Sequence, residues 1–154
     1  MAMSDLELRA ERARTQLFER YDQLNALWIN AEEVIGRFHI PQAVWYEYRT
    51  DLQNSGGIEM GYCLGVVKLN GKWRICHRTY CHLSAKGSDA TPITECSAEI
   101  LVKTAEHLPE LLDQVVASAE QFIPRVDEAI ETVQGFIDSQ GPLIDQPSAV
   151  DEAA

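Results

Sequence analysis

Long apolar runs are missing from this chain. No stretch approaches the roughly 20 residues that cross a bilayer, so no membrane span is expected. The first residues show no basic start followed by an apolar block, which speaks against a secretory signal. Cysteine is sparse, four in 154 residues, and lacks the dense spacing of a disulfide scaffold. The four read as reduced thiols, and the expected location is cytoplasmic. Also missing are a phosphate-cradling glycine loop, a His-Glu zinc helix, a serine-centred nucleophile elbow and paired carboxylates flanked by a base. Each absence removes support for an enzyme class, and no cofactor or metal is expected. No internal repeat occurs at the periods typical of solenoids.

Positive charge is scarce in one region above all. Residues 94–154 carry only Lys103 and Arg125 against thirteen acids, whereas residues 41–93 carry six basic residues against four acids. Residues 1–40 hold five arginines against seven acids, and the whole chain has a net charge of −11. Such an acidic field repels phosphate backbones, so general nucleic-acid binding is disfavoured. Only the middle third escapes that argument.

What the chain does have is two long amphipathic stretches. Leu108, Leu112, Val115, Ala119, Phe122, Val126, Ala129, Val133 and Phe136 recur at alternating spacings of four and three. That is a heptad seam of the coiled-coil kind, widened by Leu111, Val116, Ile123, Ile130 and Ile137. Pro109 suits a first helical turn, whereas Pro124 removes a backbone donor and predicts a kink or short break near 121–124. Gly141-Pro142 is expected to end the helix.

Residues 4–38 repeat the rhythm through Leu6, Ala10, Ala13, Leu17, Leu24, Leu27, Ala31, Val34 and Phe38, with Arg20 interrupting. Ser4 can cap this helix, and Gly36 and Pro41 close it. Two readings of it stand side by side. It packs on the core while its first turns overhang the domain, or it binds a partner.

Between the helices lies a strand-rich segment. Val44, Trp45, Tyr46 and Tyr48 favour a strand, with a short helix starting at Pro41 as the alternative. Asn54 to Gly57 marks a turn. Ile58–Leu69 and Lys72–Leu83 flank Asn70-Gly71, the pair best suited to a type I′ hairpin turn. With Leu69 opposite Lys72, ladder partners sum to 141. One face then holds Tyr62, Leu64, Val66, Trp73, Ile75 and His77 and should meet the helices. The other holds Gly61, Cys63, Gly65, Arg74, Cys76 and Arg78 and should see water or a ligand. Ala85–Thr91 reads as a loop. A helix capped by Thr94 or Ser97 follows, with Ile100, Leu101 and Ala105 inward.

The expected architecture is therefore α+β: a long N-terminal helix, a three-stranded antiparallel β-meander, then C-terminal amphipathic helices packed on one face of the sheet. Residues 1–140 form one domain, and residues 141–154 are expected to be a disordered acidic tail. The two long helices should pair with each other across the meander.

Three constellations deserve chemical scrutiny. Cys76-His77 and Cys81-His82 look like zinc ligands, but on a strand Cys76 and His82 stand roughly 20 Å apart and His77 and Cys81 roughly 13 Å. They cannot close on one ion unless the strand ends early and Arg78–His82 folds as a loop. Cys63 and Cys76 are diagonal neighbours, and Arg74 and Arg78 beside Cys76 would lower a thiol pKa, which suggests a weak redox role. Lys72, Arg74, Arg78, Tyr80 and His82 form a basic face able to hold a phosphate, a carboxylate or an acidic partner segment, with Gly61 and Gly65 allowing close approach. The bland alternative is that these bases are solvated or pair with the chain's own acids. His39 and His107 read as boundary residues.

Taken together, the residues point to a non-enzymatic interaction module that self-associates, or binds a protein partner, through its helices. An anionic-ligand domain using the basic face is the alternative, and a thiol-based redox or metal protein is a further one.

Overall fold

A computed structural model describes residues 4–53 and 58–144. Its elements are α1 (Asp5–Gly36), β1 (Val44–Gln53), β2 (Ile58–Leu69), β3 (Lys72–Cys81), β4 (Lys86–Gly87), β5 (Thr91–Pro92), a 3₁₀ turn (Ile93–Glu95), α2 (Ala98–Ala105) and α3 (Leu108–Ile144). The chain divides into two compact units, Met1–Ser118 and Ala119–Ala154, with α3 contributing to both. The class is α+β, as its hydrophobic periods predict.

In the first unit, α1 begins where its chemistry says it must. Ser4 accepts from the Glu7 amide, and the Glu7 side chain accepts from the Ser4 amide, a reciprocal capping box. The helix ends at Gly36, with Arg37 at the cap. Its buried face is Trp28, Glu32 and Ile35, offset by one residue from the predicted seam. Leu27, Val34 and Phe38 of that seam are exposed. The cause is Trp28, whose indole fills the core and donates to the Leu101 carbonyl at 3.3 Å.

The sheet is antiparallel, in the order β1-β2-β3-β4, with β5 also on β3. Leu69 faces Lys72 and Met60 faces Cys81, so the predicted register holds along β3, which ends at Cys81 rather than at the expected Leu83. Asn70 and Gly71 both carry positive φ, 51° and 80°, as a type I′ turn requires. The expected meander has three strands; the sheet has more, because β4 and β5 run back along the free edge of β3. Two-residue strands are too short to show a period, so 85–91 looked like loop. The turn expected at 54–57 lies outside the described residues.

Leu64, Val66 and Ile75 on the apolar sheet face are sealed beneath Trp28, Ile35, Ile93, Leu101, Leu111 and Val115. This face does meet the helices. Within the first unit α1 packs chiefly on β3, the 3₁₀ turn and α2, and what is seen there of the expected pairing of the long helices is the groove that Ala31, Val34 and Ile35 share with Leu108, Pro109 and Leu112. Ser97 caps α2 by accepting from the Ile100 amide, and it is Thr104, not Ala105, that α2 buries.

In the second unit α3 continues as one helix. The break expected near 121–124 is absent, so the Glu120 carbonyl simply lacks the amide partner that Pro124 cannot supply. Gly141-Pro142 does not end the helix either, which runs to Ile144. The expected tail from 145 onward lies outside the described residues.

Candidate functional site

The basic sheet face is built from β1, β2 and β3, and its chemistry is set by two glycines. A Cβ on Gly65 would sit 2.3 Å from the Trp45 ring, and one on Gly61 would sit 1.7 Å from Glu47 Oε1. Trp45 and Glu47 of β1 therefore lie flat across β2, over positions that bear no side chain. Trp45 then meets the Arg78 guanidinium, 4.0 Å from ring centroid to Cζ. Glu47 meets His82, Oε1 to Nε2 at 2.6 Å. What approaches the glycines is the chain itself. Cys63 is buried beneath this cover.

The predicted ligand residues are thus separated by their partners. Arg74 Nε donates to Glu32 Oε1 at 2.6 Å, while Oε2 accepts the Ile75 amide at 3.0 Å. One buried carboxylate of α1 so caps the free edge of β3 and neutralises Arg74 at once. Tyr80 packs edge-on against His82, and Lys72 is exposed at the hairpin end. Arg78 Nε is buried without a hydrogen-bond partner among the described residues. An anion at this face would have to compete with Glu32 for Arg74 and with Trp45 for Arg78.

The thiols are arranged differently from the expectation. All four are free, and Cys63 and Cys76 are buried. Burial pushes the Cys76 thiol up to about 11, outweighing the opposite pull of Arg74. Burial, seconded by Glu47, also raises Cys63. The expected lowering at Cys76 is therefore reversed, because desolvation exceeds the arginine's attraction. Cys81 is the one thiol whose pKa falls, owing first to hydrogen bonds from Ser84. Among the described residues no group of three or more metal-ligating side chains converges.

One cluster is missing from the sequence reading. Alternation along β1 puts Val44, Tyr46 and Tyr48 on the apolar face, and a β-bulge between Glu47 and Arg49 then sets Arg49 opposite Tyr62. On that face the Tyr48 hydroxyl lies 2.7 Å from His77 Nε2, and the Tyr48 ring stacks on His107 with centroids 4.9 Å apart. Burial lifts Tyr48 to about 12 and lowers His77, so a neutral phenol and a neutral imidazole share this hydrogen bond. Alternation along β1 gives Tyr48 its face; what it leaves open is the β1–β2 register, which the bulge shifts by one residue and which decides the neighbours Tyr48 meets.

The remaining candidate surface is helical. On α1, Leu6, Leu17 and Phe18 are exposed, Leu6 at 71% and Phe18 at 68%. Within the second unit, Ile123, Val126, Ile130, Val133, Phe136 and Ile137 are exposed, Ile130 at 60% and Phe136 at 64%. In the first unit, Ala31, Val34 and Ile35 of α1 line an apolar groove with Leu108, Pro109 and Leu112 of α3. No helix is long and apolar enough to cross a membrane among the described residues.

Comparisons with protein-family models, with curated proteins and with solved structures find no match.

Proposed function

We propose that this chain is a protein-interaction module that self-associates through its long amphipathic helices. The observation that carries the reading is the run Ile123, Val126, Ile130, Val133 and Ile137. These five β-branched residues repeat at spacings of three and four and are all exposed. Single exposed apolar residues need no explanation, but a row of five in coiled-coil register does. Each is about half exposed, so covering the rest would stabilise an assembly by about 1 kcal/mol per residue before association costs.

Two further features support it. The seam of α1 is exposed at Leu6, Leu17, Leu27, Val34 and Phe38, so the first helix presents a second row. The polar side chains with catalytic potential are meanwhile tied to each other: Tyr48 to His77, Glu47 to His82, Glu32 to Arg74.

Light scattering on the size-fractionated chain tests the reading. The expected mass is a multiple of 17.3 kDa that falls on dilution. A single 17.3 kDa species up to millimolar concentration overturns it.

A further inference from the structure

We infer that α1 of one copy pairs with the distal part of α3 of a second copy, rather than like helix with like. This rests on the self-association reading and names its contact. Three observations carry it: the sizes of the seam residues, the charges beside them and the lengths of the two exposed rows.

The seams are unequal. Along its first turns α1 offers Leu6, Ala10, Ala13 and Leu17, small in the middle. Distal α3 offers Ile123, Val126, Ile130, Val133 and Ile137, flanked by Phe122 and Phe136, large throughout. Two α1 seams together would meet alanine with alanine and bury little. An α1 seam against an α3 seam lets alanine holes receive isoleucine knobs.

Charge sorts the pairs the same way. Residues 119–144 hold five acids, among them Glu120, Asp127 and Glu131, against Arg125 alone. Two such segments side by side would bring ten carboxylates together. In residues 5–21, Arg9, Arg12, Arg14 and Arg20 balance four acids. Arg9 and Arg14 flank the α1 seam and Arg20 lies in it, while Glu120 and Asp127 flank the α3 row. Arg20, a defect in an α1–α1 seam, becomes a cation facing an acidic helix.

The lengths agree as well. Leu6 to Arg20 and Ile123 to Ile137 each span about 21 Å of helix at 1.5 Å per residue.

Charge-swapped copies of the whole chain test this. One variant carries Arg9→Glu, Arg14→Glu and Arg20→Glu; the other carries Glu120→Lys, Asp127→Lys and Glu131→Lys. All six side chains are exposed. Each variant alone is expected to self-associate about a hundredfold more weakly than the wild-type chain in sedimentation velocity. Mixed in equal amounts, the two are expected to recover a dimer within about tenfold of wild-type affinity, since every contact then joins opposite charges.

Wild-type strength in the α1 variant alone would overturn the pairing in favour of α3 with α3, as would two weakened variants that fail to recombine. If a reversal lowers the helical circular dichroism, the neutral set Arg9→Gln, Arg14→Gln and Arg20→Gln replaces it. That set is expected to weaken association about fivefold, and no weakening overturns the pairing. A wild-type chain that is monomeric throughout defeats the self-association reading itself, whereas an associating wild type indifferent to these charges defeats only the pairing.

Discussion

Residues 108–118 and residues 119–144 of α3 share one apolar rhythm and have opposite fates. In the first stretch Leu111 and Val115 are sealed against Leu64, Val66 and Ile75 of the sheet. In the second, Ile123, Ile130 and Phe136 stand exposed on the same kind of helix. Periodicity therefore specifies that a face needs cover, and says nothing of what supplies it. The partner of the first stretch lies in the chain; the partner of the second is what the interaction reading provides.

Substitutions along α3 should break this comparison most sharply. Leu111→Ala is expected to cost about 3–4 kcal/mol in urea unfolding, because it opens a cavity under the sheet. Ile130→Ala should shift unfolding of the dilute protomer by less than about 0.5 kcal/mol, since alanine suits an exposed helix at least as well. Equal costs at the two positions would show that the second stretch is covered within the protomer.

Next in size is Glu32. Glu32→Ala is expected to cost about 2–4 kcal/mol, leaving the Ile75 amide and the Arg74 guanidinium without their acceptor. The partial exposure of Arg74 keeps the cost below that of a fully buried pair. Chemical unfolding measures this, and Glu32→Gln should recover only part of the loss.

The two sheet faces allow a finer contrast. Gly65→Ala drives a Cβ into the Trp45 ring and within 2.7 Å of the Val44 carbonyl, at an expected cost of about 1–3 kcal/mol. Gly61→Ala meets only the end of the Glu47 side chain, which can swing away from His82 for about 1 kcal/mol or less. Reversal of that order would mean Trp45 does not lie over Gly65 in solution.

The smallest effects concern protons. His77 has its pKa lowered by burial, so the unfolded chain binds a proton first as pH falls. Stability at His77 is therefore intact above the ordinary value of 6.5 and is lost as pH drops below it. Unfolding midpoints from pH 7.5 to 5.5 should decline, and less so for His77→Gln. Among the thiols, Cys81 should be alkylated first and Cys76 last, read by mass spectrometry of labelled peptides.

Much of this architecture was legible in the residues. Ser4 and Ser97 mark their helix starts, and Asn70-Gly71 fixes a register that holds from Leu69 back to Met60. What escaped has physical causes. Trp28 outweighed an aliphatic rhythm and rotated the buried face of α1 by one residue. Alternation gave Tyr48 its face, but the β1–β2 register, shifted by a bulge between Glu47 and Arg49, decided that it would meet His77. The basic face was visible as residues, but not the partners that occupy it: Glu32 lies 42 positions before Arg74, and Trp45 33 before Arg78. Composition can show charges, whereas only the fold shows which of them are already spent on each other.

Sedimentation equilibrium of the wild-type chain beside the triple variant Ile123→Glu, Ile130→Glu and Ile137→Glu tests the central claim most directly. The wild type should equilibrate at a multiple of 17.3 kDa and the variant at 17.3 kDa, with the sheet and its core intact in both. Identical masses for the two would mean that the exposed isoleucine row joins nothing, and the interaction reading would fail.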